Sequence, residues 1–315
     1  MTATLPVESL EAGPPEPSPV VPGRRRGVQP RGTERPRRPD GPAAVLASAG
    51  TMLGLVCLWL VAQLLVLSHV SQDRQQAILY DQFRKDIAAA TASLGPTTPP
   101  GEPVALLTIP RIHLSQVVVE GTASGDTLAG PGHLRKTVIP GQVGTSVVMG
   151  RSTTYGAPFA RLDHLVVGDE IKVQMAQGEV SFDVVNVRRA GDPYAQPVAP
   201  GAARLTLQTA TGDGRLAAFT PDEVLYVDAD APKGFVPPSG LPASVPTPEL
   251  MMQRDPGAYP LLALHLALLL AAALAVVAAR QRWSAAMVWV VAAPVALALA
   301  WSTTDVVMRL LPNVM

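Results

Sequence analysis

The sequence predicts a mostly β protein, a closed β-barrel or sandwich flanked by one N-terminal and two C-terminal transmembrane helices. Three observations carry this. Between Val104 and Ala231, short β-branched runs alternate with Gly, Pro and Asp, the texture of closely spaced strands joined by turns. Three apolar stretches, 43–70, 258–279 and 283–303, each supply the roughly 20 residues that a spanning helix needs. Proline-rich segments separate the β region from the apolar ones on both sides.

Taken in order, residues 1–42 are rich in Pro, Gly and Glu and then in Arg (Arg24, Arg25, Arg26, Arg31, Arg35, Arg37 and Arg38), with little to bury. That composition predicts a disordered basic tail drawn to lipid headgroups. The run 43–70 exceeds a signal-peptide core and no clear cleavage site follows it, so it reads as an uncleaved anchor. The arginines before it are expected to stay in the cytoplasm, which puts the following domain outside. In 71–103, Ile78, Leu79, Phe83 and Ile87 recur at helical spacing, predicting an amphipathic helical stalk that breaks at a Pro-rich hinge, Gly95–Gly101.

The β domain spans 104–231. Its expected strands are Leu106–Ile109, Val117–Glu120, Ser146–Met149, Ile171–Met175, Val180–Val187, Leu205–Thr209 and Val224–Val227, with one helical turn in Pro158–Leu165. Residues 232–257 read as a semi-rigid Pro-rich linker returning to the membrane. The two last spans are separated by the short basic turn Arg280-Gln281-Arg282, which belongs on the cytoplasmic side and sends the residues after the final span outside. Pro294 inside the last span is tolerable, because spanning helices accept kinks.

Composition limits the function. Lys plus Arg and Asp plus Glu both number 25, so the formal charge is zero. With arginine concentrated in the first forty residues, nothing in the remainder favours a nucleic acid. The single cysteine, Cys57, lies in the first apolar run. An intrachain disulfide, a Cys-based metal site and a thiol nucleophile in the soluble region are therefore all excluded.

The segments Leu106–Ile112 (L-L-T-I-P-R-I), Gly130–His133 (G-P-G-H), Pro140–Gly144, Gly150–Phe159 (G-R-S-T-T-Y-G-A-P-F), Arg161–Ile171 and Leu205–Thr211 (L-T-L-Q-T-A-T) stand in order at compatible spacing. Together they resemble a sortase, an extracytoplasmic cysteine transpeptidase of Gram-positive bacteria, and among sortases they are most similar to the actinobacterial class E type. The resemblance covers about Leu106 to Val227. It implies a sortase-like closed barrel and nucleophilic catalysis, in which a cysteine attacks a peptide carbonyl, a histidine serves the leaving amine and an arginine steadies the oxyanion.

At the matching positions stand other residues. Ala210 occupies the cysteine's place and Arg151 the histidine's, while a looser alignment puts Glu223 at the arginine's. A methyl group cannot attack, and a guanidinium stays protonated near neutral pH. No catalytic residue, cofactor or metal is therefore expected, and His113, His133 and His164 follow no metal-ligand spacing. The resemblance leaves His133, Arg151, Ser152, Thr154, Tyr155, Thr209, Thr211 and Arg215 as candidate groove residues. His133 reads mainly as a loop-bonding residue and Arg215 as a solvated one in a Gly-Asp-Gly turn. The expectation is a pseudo-sortase at the cell membrane that binds a peptide or surface-protein partner beside lipid, with an active sortase or a membrane protein as further partners. The competing expectation is a transpeptidase or hydrolase whose nucleophile is an oxygen of Ser152, Thr209 or Thr211.

Overall fold

The computed structural model describes residues 58–59, 61–63, 67–212, 223–279 and 281–315. The basic tail, most of the first apolar run, Cys57 and Arg215 lie outside the described residues. Each run expected above becomes a strand: β1 Pro103–Ile109, β2 Leu114–Glu120, β4 Gly144–Met149, β5 Glu170–Met175, β6 Gly178–Arg189, β7 Ala203–Thr211 and β8 Glu223–Ala231. A two-residue strand, β3 Gly132–His133, bridges β2 and β4, and the barrel closes in the order β1-β2-β3-β4-β7-β8-β6-β5. So brief a strand carries no periodicity of its own, which is why the sequence reads it as a turn.

Alternation places Val180, Phe182 and Val184 of β6 inside while Glu179, Ser181 and Asp183 face solvent. The interior is filled by Leu107, Ile109, Ile171, Val173, Phe182, Leu205, Leu207 and Val227. On the outer face of β7 the chain uses paired charges. Arg204 grips Asp230 through two nitrogens, both at 2.6 Å, and buried Asp228 accepts from Thr206 Oγ1 at 2.7 Å and from Arg188 Nε at 2.9 Å. The Arg188 guanidinium also lies 4.2 Å from the Tyr226 ring centroid, a cation–π contact on the same strand pair.

Helix α1, Ser68–Ala88, lies along β1 and β2, where Leu79 and Phe83 are buried. Gln76 Nε2 donates to Val117 O and Ala129 O, and its Oε1 accepts from Val117 N at 2.7 Å. Ile78, expected on the packed side, is 52% exposed instead. The buried stripe runs through Gln72, whose Nε2 donates to Gln116 Oε1 at 3.0 Å, Leu79 and Phe83.

The Pro-rich stretch 232–257 also touches the barrel. Phe235 exchanges backbone hydrogen bonds with Gly141 and Val143 and packs on the core, while Glu249 is buried in an ion pair with Arg135. Helices α2, Tyr259–Ala279, and α3, Ala285–Met308, follow, packed on each other and long and apolar enough to cross a membrane. Ser284 Oγ caps α3 by accepting from Met287 N at 3.4 Å.

Candidate functional site

The site is built where β4 and β7 end. These strands are parallel and in register up to Met149 opposite Gln208, so both chains leave the ladder side by side. Beyond Met149 the β4 chain turns away, and Gly150 permits the turn: a side chain there would run into the Phe159 ring. Tyr155, Gly156 and Ala157 then all take positive φ, 50°, 74° and 43°. This is strained backbone for the two non-glycine residues, and the turn brings the Tyr155 hydroxyl 2.6 Å from Asp305 of α3. The continuing end of β7 is left with one unpaired edge at Ala210, whose other neighbour is Val224 of β8.

That edge is taken by the residues following α3. Val314 O accepts from Ser152 N at 3.1 Å and from Ala210 N at 3.4 Å, and Met315 O accepts from Thr154 Oγ1 at 2.7 Å and an Arg151 guanidinium nitrogen at 3.3 Å. Asn313, fully buried, donates its Nδ2 to Thr122 O at 2.7 Å and Leu250 O at 2.9 Å. The Val314 side chain, also fully buried, packs with Ala210, Met149 and Leu134. Beside this seat lies an open cleft of about 180 Å³ lined by Ser152, Thr153, Phe159, Asp163, Thr209, Thr211 and Leu225.

The candidate residues divide accordingly. Ser152, Thr209 and Thr211 share the cleft, but Thr209 Oγ1 is committed to Gly150 O at 2.8 Å. Arg151 is absent from the cleft lining and buried completely. Besides Thr154 Oγ1 and Met315 O, its guanidinium meets Ser124 O at 2.9 Å and Ser124 Oγ at 2.8 Å, and the Tyr155 ring centroid lies 5.7 Å away. Desolvation pulls its pKa down to about 10. The same burial raises the Tyr155 hydroxyl's pKa, an effect that the hydrogen bond to Asp305 reinforces. Glu223 pairs with Arg189 at 3.3 Å on the partly exposed start of β8, opposite Thr211.

His133 does not belong to this site. It is buried, with Nδ1 2.8 Å from Glu120 Oε2 and Nε2 2.8 Å from Val138 O. Both ring nitrogens are occupied, so no pairing with Ser152 is available to it. Among the described residues no group of three or more His, Cys, Asp or Glu is placed to hold a metal ion. His113 sits in the left-handed region at φ 55° and His164 is largely exposed.

Ser124, Thr122, Asn313 and Val314 were not candidates in the sequence. The available signal was faint: a polar Thr303-Thr304-Asp305 step in an otherwise apolar helix, followed by Leu311-Pro312-Asn313-Val314-Met315. Asp126 adds a titrating group at this end of the site. Burial, with Glu249 adding to it, raises its carboxyl pKa to about 6, against the pull of the Ala123 N–H, Arg135 and Arg309. An acid whose pKa is higher folded than unfolded holds its proton more tightly when folded, so its contribution is greatest below about pH 4 and is lost as pH rises past 6. Unfolding free energies from urea titrations are therefore expected to fall between pH 4 and 7 by about 3 kcal/mol more in the parent than in Asp126→Asn.

The sortase domain family model matches residues 107–219. Over 103 residues the chain is 31% identical to Sortase D of Bacillus subtilis (strain 168), an alignment that covers 33% of this chain and 50% of that protein. Thus the chain spans about half the length of the curated relative it matches. Solved structures similar to it include a Clostridium perfringens Sortase D5 transpeptidase, at 19% identity over 50% of this chain and 98% of that one with a TM-score of 0.40. Another is the SrtF sortase from Corynebacterium diphtheriae, at 23% identity over 48% and 94% with a TM-score of 0.38. The closed barrel is a sortase domain.

Proposed function

We propose that the chain is a membrane-anchored pseudo-sortase, with its barrel outside the cell and its N-terminal tail in the cytoplasm. It binds an extended peptide or surface-protein partner without forming an acyl-enzyme, in an accessory or regulatory role in cell-surface protein anchoring. One observation carries this reading. A peptide carbonyl, that of Val314, is held by the backbone N–H groups of Ser152 and Ala210, and the methyl of Ala210 is among the side chains packed against that residue. Donors converging on a carbonyl are what acyl transfer needs for its oxyanion, but with a methyl where the family has its thiol, and with the neighbouring Ser152 hydroxyl donating to the same carbonyl at 3.4 Å, they only bind. The sequence's sole cysteine, Cys57, lies before the barrel. The motifs Gly130–His133 and Gly150–Phe159 favour the actinobacterial class E branch, and the two C-terminal apolar helices favour a multi-pass anchor.

The competing reading, an oxygen nucleophile, draws on Ser152, Thr211 and Asp163 lining one cleft. A fluorophosphonate probe decides between them. The full-length chain in detergent is expected to remain unlabelled while still binding extended peptides. Labelling abolished by Ser152→Ala or Thr211→Ala would establish the enzyme instead.

A further inference from the structure

We infer that the surface formed by Thr122–Ser124, Met149–Thr154 and the end of β7 is a peptide-recognition groove that the chain's own residues 312–315 occupy. The ligand it takes in trans is a short extended peptide with Asn followed by a β-branched apolar residue. This deepens the peptide-binding reading above and rests on it.

The segment's backbone hydrogen bonds carry the inference. A segment lying on a surface by chance leaves backbone groups to water, whereas here Asn313 N bonds Gln253 O, Val314 O accepts from Ser152 N, Ser152 Oγ and Ala210 N, and Met315 O accepts from Thr154 Oγ1 and Arg151. The Val314 contact with Ala210 N extends β7 at the edge that β4 vacates, which is recognition by strand addition: main-chain bonds give affinity and side-chain pockets give selectivity. Two pockets read side chains. The carbonyls of Thr122 and Leu250 require a donor, which Asn313 supplies and an aspartate would not. Leu134, Met149 and Ala210 form a dry seat for a branched aliphatic group.

The groove is also tied to the membrane helix. Ser124 Oγ donates to Leu311 O at 2.8 Å, and Tyr155, on the loop that follows Arg151, bonds Asp305 of α3. Movement of α3 relative to the barrel would withdraw the resident segment from its seat.

The test uses the full chain in lipid nanodiscs with Cys57→Ser and Ala210→Cys, so that one thiol marks the groove floor. Its labelling by a maleimide-polyethylene glycol is compared with that of Thr145→Cys, an exposed position on β4. Occupancy predicts labelling about tenfold slower or more at position 210, restored by adding Val314→Asp and slowed again by a free peptide with the sequence of Arg309–Met315. Val314→Ser, a milder change, is expected to restore it partly, with the barrel's melting temperature checked in both variants. Equal labelling at 210 and 145, unchanged protection in both Val314 variants, or no effect of millimolar peptide would each overturn the inference. Labelling of Ser152 or Thr211 by the fluorophosphonate probe would instead overturn the reading of an inactive groove and leave the protection pattern intact.

Discussion

Replacing Arg151 by alanine is expected to destabilise the chain by about 3–5 kcal/mol, as read from urea unfolding of the full-length protein, and to free residues 312–315. Two opposed effects set the size. The buried cation carries a desolvation penalty: its pKa falls to about 10, worth about 3 kcal/mol that removal would return. Against this stand its buried acceptors, of which Met315 O keeps Thr154 Oγ1 and Ser124 O keeps Thr127 Oγ1 as a second donor. Ser124 O, Ser124 Oγ, Thr154 Oγ1 and Met315 O all bond the guanidinium. Each buried acceptor left bare costs about 1–3 kcal/mol, and truncation leaves a cavity as well. The acceptors outweigh the penalty. Arg151→Lys separates the causes, because it keeps the charge but not the fork; it is expected to lose most of the same stability.

The second large effect falls on Glu120 and His133. Each is almost wholly buried, and they meet at 2.8 Å. Removing one partner of such a pair strands the other in the interior, so Glu120→Ala is expected to cost about 3–5 kcal/mol. Glu120→Gln keeps an acceptor for Nδ1 and should cost only about 1 kcal/mol. Both variants are expected to leave labelling of a cysteine at position 210 unchanged at temperatures where they remain folded, because His133 lies outside the cleft. A structural histidine and a catalytic one differ in that readout.

The barrel was legible because β-branched runs such as Leu205–Thr209 and Val180–Val187 announce strands wherever they occur. The apolar pattern placed β7 at Leu205–Thr209, two residues short of its end at Thr211, and it was the resemblance to sortases that singled out Ala210. What stayed hidden depends on neighbours remote in sequence. A guanidinium after a glycine looks like a surface charge until Ser124 and Met315 are brought to it from either end of the barrel and α3. Likewise Gln76 reads as a solvated helix residue until Val117 and Ala129 supply its partners. No local periodicity encodes the docking of 309–315, since its bonds run to Thr122, Ser152 and Ala210, all more than a hundred residues away.

The central claim is that a sortase barrel here grips a peptide carbonyl with nothing to attack it. Intact-mass spectrometry tests this most directly: the full-length chain is incubated with a sorting-signal peptide and an amine acceptor, and both protein and peptide are weighed. The account predicts that neither mass changes, while the same mixture with an active sortase yields cleaved and transferred peptide. A protein adduct, or cleavage of the peptide that disappears on replacing Ser152, Thr209 or Thr211, would contradict it.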